Sequence, residues 1–273
     1  MVAWTRFRAL FFCPVERDSL GISEIHMENI SLKAETIFHI GAFGVTNSLF
    51  LGVVVLVVLV ILGLLFKKNL SFVPGKMQNL FEAAAEGLLG LMASVLGSEE
   101  KAEKYFPFIA NIFLVILVSN WFGLIPGVGT IGFFEGAGHT AFVPFFRAPS
   151  ADLNFTLAVA IIAVFAVNLF GVLAIGFWKH LGKFFTLKNP IHTFVGFLEF
   201  ISEIAKMISF SFRLFGNIFA GEVLLIIVGF LVPYVVPLPF MFLEIFVGFI
   251  QAFVFAMLTL VFISIATTEM EYA

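Results

Sequence analysis

Charge is what this sequence has least of. Of its 273 residues only 12% are charged, whereas 61% are hydrophobic; an ordinary soluble domain carries about 25% charged residues. So little polar surface cannot coat a water-exposed globule. That excludes a soluble enzyme or a disordered segment, and points to an integral membrane protein with several spans. The net charge of −3 leaves no basic footprint, so no nucleic-acid partner is expected. The single cysteine, Cys13, excludes an intrachain disulfide and a thiolate metal cage. His26, His39 and His139 lack metal-ligand spacing. There is no nucleophile motif, phosphate loop or dinucleotide fingerprint, so neither catalysis nor a cofactor is expected.

What is there is a series of apolar runs punctuated by glycine and proline. Residues 48–66 are uncharged and as a helix reach about 29 Å, the thickness of a hydrocarbon core. Lys67, Lys68 and Lys76 follow at once. In 75–97, Phe81, Leu88, Leu89 and Leu96 alternate with Gln78, Glu82 and Glu86 at helical spacing, which predicts an amphipathic helix lying on the membrane face. The charged run Ser98 to Lys104 reads as a solvated turn. Residues 106–125 form the next span, with Asn111, Asn120 and Trp121 in it or at its ends and Pro126-Gly127 stopping it. A loop rich in Gly and Phe leads to a span over 153–178, where Asp152 is placed to cap the helix. Two long segments, 191–231 and 237–268, would run about 60 Å and 45 Å as helices. Neither fits upright in a core of ~30 Å, so an antiparallel, strongly tilted hairpin is expected. The fold class is therefore an all-α integral membrane protein. It has an upright first helix, a surface helix, a transmembrane pair and a tilted C-terminal hairpin, all within one membrane domain over 30–268.

Residues 1–29 read as an extension, with Arg6, Arg8 and Arg17 around a short apolar run. It is either a segment preceding a start at Met27 or a leader or amphipathic anchor. Positive charge orients the rest. Lys67, Lys68, Lys76, Lys101, Lys104, Lys179, Lys183 and Lys188 fall in segments assigned to the cytoplasm, whereas the 126–152 loop holds only Arg147. The N-terminus is then outside, and the 269–273 tail is cytoplasmic.

Ionisable residues inside spans are expensive and usually functional. Glu199, Glu203, Lys206, Arg213 and Asn217 fall at i, i+4, i+7, i+14 and i+18 and share one helix face, bordered by Ser202, Ser209 and Gly216. Glu222 lies about 180° around the helix from Arg213. Glu244 and Gln251 share a face of the last helix, which could meet Glu222 across the hairpin. Structural readings stand beside these. Glu203 and Lys206 could neutralise each other at the interface, and Glu222, Glu244 and Gln251 could be a cluster that only fastens the hairpin. Arg213 resists such a reading, because it is too deep to snorkel and its helix offers no carboxylate one turn away.

The run Ser209-Phe210-Ser211-Phe212-Arg213-Leu214-Phe215-Gly216-Asn217-Ile218-Phe219-Ala220-Gly221-Glu222 closely resembles the signature of the a subunit of the F-type ATP synthase membrane sector. Pro149 to Leu157 is similar to that family's start of the span before the hairpin, and Leu243-Glu244 through Gln251 to Phe255 to its last helix. The resemblance implies an ion-channel stator, itself non-catalytic. It would work in a bacterial inner membrane against a ring of c subunits, with a b-subunit stalk and the rest of the complex as partners. It places the fixed arginine at Arg213 and its partner asparagine at Asn217. The outer half-channel falls to Glu222, Glu244, Gln251 and Asp152, and the inner one to Glu199 and Ser202. Where some members carry acids after the second span this chain has Gly123 and Gly127, so Glu135 or Asp152 could open the outer mouth. A secondary ion transporter acting alone is the alternative, but it would show an internal repeat, and none is visible.

Overall fold

In a computed structural model the described residues are 35–268, apart from 41–42, 69, 72–73, 126–127, 129–130, 136–140, 183–189 and 233–234. The expectations for residues 1–29, Pro126-Gly127, His139, Lys183, Lys188 and the 269–273 tail lie outside them.

Two strands open the described chain. β1 (Thr36–Ile40) and β2 (Phe43–Thr46) form an antiparallel hairpin. They lead into α1 (Asn47–Lys68), the uncharged run expected to span. Its buried residues Asn47, Ser48, Leu51, Gly52 and Val55 all lie in its first half. The remainder presents Val57, Val60, Ile61 and Leu64 outward, which suits lipid rather than water. Lys67 and Lys68 close the helix where cations complement the dipole.

α2 (Lys76–Leu96) is amphipathic as its spacing predicts. Met92 is fully buried and Leu88, Leu89 and Leu96 pack with it, while Met77, Leu80 and Phe81 stay exposed. α3 (Glu99–Gly123) begins seven residues before the span expected at 106. The charged run is thus a helix start and not a turn. Ser98 caps it by accepting from the Lys101 amide at 3.5 Å, and Glu99 and Glu100 occupy the first turn, where the dipole favours anions.

The loop between α3 and the next long helix contains a second hairpin, β3 (Gly132–Glu135) with β4 (Ala141–Pro144), and a 3-10 turn at Pro149–Ala151. α4 (Leu153–Ile175) stops short of the expected 178. Gly176, at φ 97 and ψ 149, breaks it in a backbone region that only glycine adopts readily. A separate short helix, α5 (Phe177–Gly182), follows. α6 (Pro190–Leu231) is continuous over 42 residues and α7 (Pro237–Thr267) over 31, as the two long apolar runs imply.

Six of these helices are long and apolar enough to cross a membrane, α2 being the least apolar. α4 packs on both α6 and α7, α3 on α7, and α6 on α7. The core between them uses small residues, Ala151, Ala160, Ala163 and Ala252, beside Ile116, Leu214 and Phe255. Between membrane helices lipid is as apolar as leucine, so association depends on close backbone approach and dispersion, and alanine permits both.

Candidate functional site: a groove and two carboxylate clusters along the hairpin

The polar stripe of α6 forms one wall of a cavity of about 250 Å³. Ser202, Lys206, Ser209 and Arg213 line it, and Leu258 and Phe262 of α7 face them. The stripe exists because positions seven apart return to the same helix face. Arg213 is exposed, and among the described residues it makes no hydrogen bond or ion pair. Its guanidinium cannot shed its charge, so it stands in the groove as a permanent cation with all its donors available.

One turn further along α6, Asn217 Nδ2 donates to Gln251 Oε1 of α7 at 2.7 Å. The register of the hairpin therefore differs from the expectation that turned Gln251 towards Glu222. Gln251 meets Asn217 instead, and Glu244 packs against Gly221. A Cβ on Gly221 would lie 1.2 Å from Glu244 Oε1, so only glycine leaves room for the carboxylate. Glu244 and Gln251 are buried, at 7% and 4% exposure. α3 reaches the same helix: Asn120 Nδ2 donates to the Gly248 carbonyl at 2.9 Å and Trp121 Nε1 to that of Ile245 at 3.1 Å. Gln251 Nε2, Asn120 Oδ1 and Ser119 Oγ are buried with no hydrogen-bond partner. Such atoms cost about 1–3 kcal/mol each when left dry.

Glu222 has a partner that sequence reasoning missed. Arg147, in the loop between α3 and α4, brings Nε to 3.9 Å from Glu222 Oε1. The one available signal was that Arg147 is the sole cation of that loop. Asp152 caps α4 as expected, accepting from the Asn154 amide at 2.9 Å, and it also accepts the Ser48 hydroxyl of α1. Next to it Thr156 and Ser211 share a hydrogen bond of 3.1 Å, tying α4 to α6 beside Arg213. At the other end of the stripe Glu203 and Lys206 pair at 2.6 Å, as their i, i+3 spacing allows. Glu199 is half-buried one turn earlier and does not line the groove. The structure thus places Ser202 and Arg213 on one wall of the groove and brings Asn217 to Gln251 and Glu244 to Gly221. It leaves Glu199 and Asp152 apart from the groove, and Glu135 falls in β3.

This geometry stands beside a direct match. The family described as ATP synthase A chain covers residues 48–264. The chain belongs to that family. ATP synthase subunit a of Campylobacter jejuni is 36% identical over 221 residues, 81% of this chain and 89% of the relative. Those of Campylobacter fetus and Campylobacter curvus are 33% and 31% identical over 245 and 250 residues, covering 90% of this chain and 99% and 100% of theirs. As an ATP synthase A chain it is a multi-pass membrane subunit of the ion-translocating sector and works within that complex.

Proposed function

We propose that this ATP synthase subunit is the ion-channel stator of the rotary motor. It provides two offset aqueous half-channels separated by a fixed arginine, Arg213. The observation that carries this reading is the guanidinium itself. A permanent cation stands in a groove and, among the described residues, is paired with nothing in its own chain. A mid-membrane cation without a counterion is costly, so its carboxylate partner is expected from another subunit. A ring of c subunits, each presenting one mid-membrane carboxyl, supplies it. The exposed face beside Arg213 carries Ser209, Gly216 and Ala220, whose small side chains let a neighbouring helix come close. At ~4 Å a carboxylate gains about 4 kcal/mol from the arginine at an effective dielectric of ~20. A protonated ring carboxyl arriving from lipid therefore releases its ion beside Arg213.

The same charge bars a cation from passing directly between the half-channels, so the ion rides the ring around. The outer half-channel is served by Glu222, Glu244, Gln251, Asn217 and Asp152. The unpartnered buried polar atoms of Gln251, Asn120 and Ser119 support a wetted path there. The inner one follows the groove, with Ser202 on its wall and Glu199 towards its mouth. The drive is about 2.3 kcal/mol per charge per 100 mV. α6 would run about 63 Å upright, and its tilt lets it follow the curved wall of a ring. The lysines at the end of α1 and in α5 support a cytoplasmic placement of those ends and an N-terminus outside.

Reconstitution separates a stator from a transporter that works alone. The purified chain in vesicles is expected to dissipate no imposed ion gradient, whereas the membrane sector with its ring does so. Gradient-driven ion exchange by the chain alone, dependent on Arg213, would contradict the reading.

A further inference from the structure

Glu203 uses its two carboxylate oxygens separately. Oε1 accepts from Lys206 Nζ at 2.6 Å, and Oε2 accepts from Asn168 Nδ2 of α4 at 3.0 Å. A carboxylate only accepts, so this bond turns the Asn168 amide nitrogen towards Glu203 and its oxygen away. That oxygen lies 3.1 Å from His180 Nε2 of α5, which fixes Nε2 as a protonated ring nitrogen. The imidazole is buried against α4 where Gly171 leaves it room; a Cβ there would come within 2.8 Å of its Cε1. A hydrogen-bonded chain from three helices therefore ends on Lys206. The Lys206 ammonium is drawn over the Phe262 ring, 4.8 Å from its centre.

Lys206 and Arg213 line the same wall of the groove, seven residues or about 10 Å apart. Two bare cations there would oppose a leaving cation. They would also give the rotor carboxylate a second anchoring point short of its proper one. Cation–π contact with Phe262 holds the ammonium but leaves its charge intact, so only an anion can cancel it. We propose that Glu203 is a positioning residue for ion translocation. Braced by Asn168 and His180, it neutralises Lys206 and holds it aside, leaving Arg213 as the one uncompensated cation lining the groove.

The proposal rests on the stator reading and deepens it. The test uses the whole complex in inverted vesicles stripped of the catalytic head. Passive conduction is followed as decay of an imposed membrane potential, a readout that serves a proton or a sodium ion alike. Glu203→Gln is expected to lower conduction about tenfold, equivalent to ~1.4 kcal/mol of barrier. Adding Lys206→Gln is expected to restore most of it, which loss of a structural ion pair would not do. Asn168→Leu leaves both charges present but frees Glu203; it too should lower conduction and recover with Lys206→Gln, and it carries the comparison if Glu203→Gln fails to assemble. Unchanged conduction in Glu203→Gln, or double variants no faster than the singles, overturns the proposal. Absence of conduction in the unaltered complex would instead overturn the stator reading.

Discussion

Gly221 and Glu244 show how one missing side chain sets the geometry between α6 and α7. The carboxylate occupies the volume that a Cβ on Gly221 would take. Gly221→Ala must evict it, because the added Cβ would overlap the carboxylate itself. We expect Gly221→Ala to lower ATP-driven pumping at least about tenfold while the complex still assembles. Since both changes disable the same carboxylate, adding Glu244→Ala to it should cost nothing more. Full pumping in Gly221→Ala would show that the seat of Glu244 is not needed. Arg147 illustrates the opposite situation. It reaches Glu222 from a loop 75 residues earlier in the chain, and no periodicity connects the two, so the contact was not legible from the sequence. Asn217 and Gln251 were both legible as polar positions on helix faces, yet their pairing was not. It depends on the register of α6 against α7, which the short connection between them sets and residue spacing does not.

At the scale of elements, what could be read were the runs whose physics is local. The uncharged stretch at 48–66, the amphipathic spacing of 75–97 and the two long apolar segments all became helices close to their expected bounds. The misplaced boundaries have physical causes. At α3 the charge density alone suggests a turn, yet a serine followed by two glutamates is a helix start. At α4 the apolar run continues through Gly176, and only its backbone angles reveal the break. The two small hairpins carry too few residues for a period-two pattern to stand out. Gly176 gives a prediction at this scale. Gly176→Ala forces an alanine into a region that costs about 1–3 kcal/mol, and α5 with His180 hangs on that break. The thermal midpoint of the purified complex should fall, and an unchanged midpoint would mean the break between α4 and α5 relaxes freely.

For the molecule as a whole, the hairpin of α6 and α7 is the organising feature. α3 and α4 support it from behind, while α6 leaves Phe200, Ile204, Ile208 and Phe212 exposed beside Arg213. The groove, the buried amides around Gln251 and the Glu222–Arg147 contact lie along that one hairpin, on either side of the arginine. Among the described residues Arg213 is the one cation on that face of α6 without an ion pair, which is what the proposed passage of partner carboxylates requires. The most direct test of this account is ATP-driven ion pumping by the assembled complex in inverted vesicles carrying Arg213→Ala, with assembly and ATP hydrolysis followed in parallel. The account predicts an assembled complex that does not pump, and a raised passive leak once the catalytic head is removed, because the barrier between the half-channels is gone. Pumping at the unaltered rate in Arg213→Ala would contradict it.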